Sequence, residues 1–238
     1  MAPVTHAPHD EPEHHPEHRP LPAWLRVTQG ETRWASTLAV LTAVGLQWAL
    51  PERLSIHPEW LLPALEIALM VALIAGNPVR IERASRLYRL AGLVLIACIS
   101  AANGWSAVRL VVGLVRGQEG ADAAALLVTG GGIWLTNVIV FALWYWEWDR
   151  GGPVARMQAT RTFPDFLFPQ MQSPELAPPH WEPAFPDYLY LSFTNATAFS
   201  PTDVMPLNRW AKMLMMLQSA VSLLTVVLVV ARAVNILK

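Results

Sequence analysis

Five long apolar segments, each cut off by proline or by charge, leave this chain few ways to fold. They run about Trp34–Leu50, Trp60–Gly76, Leu87–Val115, Ala121–Trp148 and Leu207–Leu237. A bilayer core takes about 20 apolar residues of helix, with roughly 17 as the lower limit, so the first two just reach across and the last three exceed it. Pro51 stops the first segment and Asn77-Pro78 the second, and the short connector 51–59 makes these two antiparallel neighbours. Only 15% of the 238 residues are charged, too few to keep a soluble surface wet. The expected fold class is an all-α integral membrane protein with about five transmembrane helices, multi-pass in the cell membrane.

The polar remainder narrows the partners. A formal net charge of −1 provides no basic stripe to neutralise phosphates, so nucleic acid is not expected. The single cysteine, Cys98, lies in an apolar run and reads as a small buried residue, which excludes an intrachain disulfide. Residues 1–33 lack the basic start and apolar centre of a cleavable signal, so the first span is expected to direct insertion. They read as a disordered Pro/His/Glu-rich tail, and His6, His9, His14, His15 and His18 have no fixed geometry for a metal. The remaining units are a four-helix bundle over 34–148, a Pro/aromatic-rich loop over 149–186, and a short helix, turn and final span over 187–238.

Arg80, Arg83, Arg86 and Arg89 recur every third residue into the third span. A voltage-sensor helix would carry such arginines at its centre; here they sit at the start and read as a cytoplasmic anchor. With the amino terminus inside, 12 of the 17 basic residues fall on the cytoplasmic side and 5 on the other, which sets the expected orientation. Gly130-Gly131-Gly132 in the fourth span lets a neighbour approach closely or loosens the helix, and Trp144, Tyr145, Trp146 and Trp148 read as its aromatic belt.

Enzymatic motifs are absent: no nucleophile elbow, phosphate-binding glycine loop, zinc-protease helix or CxxC pair occurs. No enzyme activity, metal or cofactor is expected. Asp165, Glu175, Glu182 and Asp187 read as solvated loop charge. Ionisable residues within spans are better candidates, because each is costly unless paired or facing water. Glu66 in the second span and Arg109 in the third fall at depths that allow a pair, with Asn103 beside them, serving either structure or a proton or cation relay. In the last span Gln218, Ser222, Thr225 and Arg232 share one helical face, which either bonds to neighbouring helices or lines a water-filled path.

Before that span lies Asp187–Pro206, in which Tyr188–Ala198 covers only about 16 Å as a helix, half of a bilayer core. The outline is a half-length re-entrant, pore-helix-like segment, then the polar turn Ser200–Asp203. That turn reads either as a helix-capping box or as Thr197, Ser200, Thr202 and Asp203 presenting oxygens to a hydrated cation.

These residues resemble the pore helix, filter and inner helix of two-transmembrane potassium-channel modules. Thr194 and Thr197 stand in the threonine-rich part, Asp203 at the acidic position, Pro206 at the proline, and Arg209 and Lys212 early in the inner helix. The resemblance covers about 45 residues and departs at the filter, where Ser200-Pro201-Thr202 replaces glycine-containing sequence whose backbone must reach φ > 0. It therefore implies a channel-like plan without potassium selectivity. More widely, LPERLSIHPEWLLPALE, GGGIWLTNVIVFALWYWEWDRGGP and YLYLSFTNATAFSPTD resemble a family of bacterial, mainly actinobacterial, multi-pass membrane proteins with no assigned activity. The expectation is a channel-like or transporter-like protein in the lipid bilayer, handling an inorganic cation and forming a homo-oligomer, four-fold if a channel. The alternative is a non-conducting scaffold that docks a partner through the 149–186 loop.

Overall fold

The structure, a computed structural model, describes residues 21–81, 85–118, 122–197 and 203–237. The chain is mostly helical. Its long helices are α1 (Trp34–Trp48), α2 (Leu61–Gly76), α3 (Arg86–Val115) and α4 (Ala123–Trp148). After them come α5 (Pro153–Met157), strand β1 (Phe166–Leu167), α6 (Pro169–Gln172), α7 (Phe185–Thr197), strand β2 (Met205–Pro206) and α8 (Arg209–Ile236). The apolar segments thus become helices with bounds close to those expected. Among the described residues, three helices, α3, α4 and α8, are long and apolar enough to cross a membrane; α2 is a shorter apolar helix. At 15 residues, α1 covers about 22 Å, short of a core of about 30 Å.

Helix α4 is the central element: 67% of its apolar window is buried, against 39% for α3 and 28% for α8. Asp122 caps its start, accepting hydrogen bonds from the amides of Ala124 and Ala125. A tight turn ends it. Arg150 sits at φ 53, and Gly152 at φ 97 lies where a Cβ would come 2.9 Å from the Glu147 carbonyl. Gly130 lets α8 close on α4, since a Cβ there would meet Val229 Cγ2 at 2.7 Å. Gly131 has no such neighbour, so one glycine of the three carries the close approach.

The bundle has a basic end and an opposite end. At the basic end, where α1 starts, α2 ends and α3 starts, Thr32 bridges to Arg80 and Arg33 donates to the Leu73 carbonyl at 2.8 Å. Arg86, Arg89, Arg150, Arg156, Arg209 and Lys212 gather there, at the adjoining helix ends. At the opposite end Ser106 donates to the Leu54 carbonyl, and Arg109 to the carbonyl of Arg53.

Three expectations change in the tertiary structure. Residues 21–33 are packed rather than part of a loose tail: the Thr28 amide bonds to the Met157 carbonyl, and Glu31 accepts from Trp146 Nε1 at 2.6 Å. The aromatic belt is partly core, because Tyr145 and Trp146 are buried under the loop while Trp148 stays exposed. The capping box is not formed around Asp203, since α8 starts at Arg209 with Asn208 as N-cap; Ser200 and Pro201 lie outside the described residues. Pro206 instead pairs with Phe166 in the β1–β2 ladder, which holds the chain extended.

The 149–186 loop folds onto the basic end. Phe166 packs against Tyr145, Tyr188 and Trp210, and Phe168 against Trp181 and Tyr188. Helix α7 starts at this end, with the Phe185 amide on Glu31, and runs between α4 and α8. It reaches far enough for Ser192 to donate to the Val138 carbonyl and Asn195 to the Met215 carbonyl. The chain then returns to the same end at β2.

Candidate functional site

Two features of the α1–α4 half stand apart from ordinary packing: a buried carboxyl without a paired cation among the described residues and a cavity one helical turn away. Glu66 is fully buried on α2, and neither carboxylate oxygen has a hydrogen-bond partner among the described residues. The amide of Gln47 on α1 lies alongside, its Nε2 also unbonded, and Cys98 on α3 is close enough to feel the Glu66 charge. Asn103 is buried on α3 with its Oδ1 unpartnered. A buried anion is strongly disfavoured without a cation or donors around it, so a carboxyl in such surroundings needs a reason.

The expected ion pair does not supply that reason. Arg109 is exposed, donates to the Arg53 carbonyl at 3.0 and 3.2 Å, and sits 5.9 Å from the Trp105 ring centroid. Its side chain turns along the α3 surface towards the connector at the opposite end. By depth alone Arg109 falls a turn or two nearer the outer surface than Glu66; in the structure Cys98, eleven residues before Arg109 and about 16 Å from it along α3, is near Glu66, so axial position as well as helix rotation keeps the two side chains apart.

The cavity has a volume of about 300 Å³ and lies at the basic end between α1, α2, α3 and α4. Its deep wall is apolar, with Val40, Met70 and Ile96; its mouth carries Arg33, Arg86 and Arg89. One carboxylate, Glu147, shares the wall and stands 3.7 Å from Arg89. Met70 follows Glu66 by four residues, so the cavity's deep wall lies one helical turn, about 6 Å along the axis, from the unpaired carboxyl.

Beside the cavity a buried polar network ties the loop to the bundle. Asp149 accepts from the amides of Asp165 and Phe166 and from the Tyr188 hydroxyl at 2.6 Å. Asp165 accepts from the Arg150 amide, Asn208 Nδ2 and Trp210 Nε1, so it is a buried hub rather than solvated charge. Arg156 donates to the Trp146 and Asp149 carbonyls and lies 5.1 Å from the Tyr188 ring centroid. Burial pushes the Glu31 carboxyl above its usual range, and the nearby Arg156 guanidinium pulls it partly back. Of these residues the sequence points to Asp165 alone, and as solvated charge; Asp149, Arg156 and Glu31 have no local pattern that marks them as a network. The run WEWDRGG, which sets three charges among tryptophans at a span end, was the available signal.

The pore candidates are placed differently from one another. Gln218, Ser222 and Thr225 are all buried on the face α8 turns to its neighbours. Gln218 accepts from Tyr145 and Asn195 and donates to Ser192; Ser222 accepts from Asn137; Thr225 donates to the Val221 carbonyl of its own helix. Thr197 is half-buried and donates to the Thr194 carbonyl, and Asp203 is exposed on the returning chain. Ser200 and Thr202 lie outside the described residues. Among the described residues no three His, Cys, Asp or Glu side chains could hold a metal ion. No protein-family model, curated protein or solved structure matches this chain.

Proposed function

We propose that the chain is a multi-pass integral membrane protein of transporter-like type, in which Glu66 carries a proton or cation. In this reading α1 and α2 complete five spans with α3, α4 and α8, the basic end is cytoplasmic, and α7 is re-entrant from that side. The carrying observation is Glu66 itself: a buried carboxyl, deep in an apolar helix, with the Gln47 amide beside it and no paired cation among the described residues, Arg109 being engaged elsewhere. Ionisable groups persist in such places when they serve an ion path. The cavity at the basic end reaches Met70, one helical turn from Glu66. The α8 stripe, engaged with α4 and α7, supports a transporter-like path through α1–α4 over a pore lined by α8.

Purified protein reconstituted in liposomes tests this. Proton or monovalent-cation flux is expected in the wild type and is lost in Glu66→Gln, with helical content and elution volume unchanged. Unchanged flux in the variant sinks the reading.

The scaffold alternative draws on Phe163 and Leu176, which stand 87% and 82% exposed on a loop whose other large apolar side chains are packed. If the loop is a docking face, wild-type liposomes carry no flux, and Phe163→Ser with Leu176→Ser removes a partner that co-purifies with the wild type.

A further inference from the structure

The cavity at the basic end has two chemistries at once, and we infer that it holds one acyl chain of an anionic phospholipid, with the phosphate at Arg86 and Arg89. This goes beyond the transport reading: it rests on the chain's being a membrane protein, and not on its carrying an ion. The deep wall of Val40, Met70 and Ile96 suits hydrocarbon and makes no provision for a small soluble anion. Among the described residues the mouth carries three guanidiniums against the carboxylate of Glu147, a surplus of positive charge that a neutral lipid would leave unanswered. Arg33 is partly engaged by the Leu73 and Asn77 carbonyls and Arg89 faces Glu147 at 3.7 Å, so the exposed Arg86 is the outward guanidinium, with the exposed Arg89 one turn along beside it.

Two observations choose the bilayer as the source. Leu87 and Leu90, on the same turns of α3, are 71% and 58% exposed, so apolar surface borders the arginines where lipid would reach them. Gly92, one turn below Arg89, lines the cavity, and a Cβ there would meet nothing within 4 Å, so the slot stays open beneath the charged mouth. A volume of about 300 Å³ is at the lower bound for ligand sites and too small for a whole two-chain lipid. One chain enters and the other remains in the bilayer. Basic pockets between helices on the cytoplasmic side are a general solution for such headgroups.

The test uses full-length protein, delipidated in detergent and mixed with phosphatidylglycerol or phosphatidylcholine, with bound lipid counted by native mass spectrometry. The wild type is expected to retain one phosphatidylglycerol per chain in preference to phosphatidylcholine. Arg86→Gln, at an exposed position, should weaken that retention roughly five-fold, the equivalent of one lost charge near a lipid surface. Gly92→Trp fills the slot and should abolish retention of either lipid with all arginines present. Equal retention of the two lipids by the wild type, or unchanged retention in Gly92→Trp, overturns the inference. So does release of the lipid by millimolar inorganic phosphate, which would mark a headgroup-only anion site. If Gly92→Trp fails to fold, the lipid preference and Arg86→Gln still decide. Because lipid is counted directly, absence of ion flux would leave this result standing, and the converse holds.

Discussion

Asp149 and Glu66 show how differently two buried carboxyls are treated by the same chain. Asp149 is fully buried, yet both its oxygens accept hydrogen bonds and Arg156 stands nearby, so its burial is compensated. Glu66 is equally buried and has no such set. Substitution at Asp149 should therefore be felt in stability. In Asp149→Asn the new amide presents N–H groups where the Asp165 amide or the Tyr188 hydroxyl already donates, and Arg156 loses a neighbouring anion. A loss of about 3 kcal/mol is expected, at the lower end for breaking a buried charge network. Thermal unfolding in detergent checks it, and a melting point within a degree of the wild type would be the contrary result. Nothing in the spacing of Asp149 announces this role, because its partners lie 16 and 39 residues away in sequence.

At the scale of elements, helix positions were legible and helix faces were not. Length and proline or charge breaks locate α1 to α4 and α8 closely, because in an apolar chain those features alone say where a helix can run. Which side of α8 faces inwards was also legible, since Gln218, Ser222 and Thr225 fall on one face and all three prove buried. What that face meets was not. Two partner helices, α4 and α7, satisfy it through Asn137, Tyr145, Ser192 and Asn195, and no local pattern specifies that pairing. The close approach of α4 and α8 at Gly130 gives the test for this scale. Gly130→Val places branched carbon where Val229 already lies, and overpacking should cost about 1–3 kcal/mol. Gly131→Val, one residue on, where a Cβ meets nothing, should cost far less under the same thermal measurement. Equal losses at the two positions would contradict the packing described.

For the whole molecule, the fold gathers most of the described basic residues at one end, together with the loop, the start of α7 and the cavity mouth. Reporter fusions after Gln172 and after Lys238 are expected to read cytoplasmic and external, respectively; an external signal at 172 would invert the proposed orientation. The sequence by itself determined the helical class, the helix bounds and the half-length of α7, because each follows from apolar run length and from where proline and charge interrupt it. Only the tertiary structure decided that Glu66 and Arg109 do not meet, that Asp165 is a buried hub, and that Phe166, Phe168 and Phe185 become core while Phe163 stays exposed. Those outcomes depend on the rotation of helices about their axes and on contacts between residues far apart in the chain. Run length carries neither of these quantities.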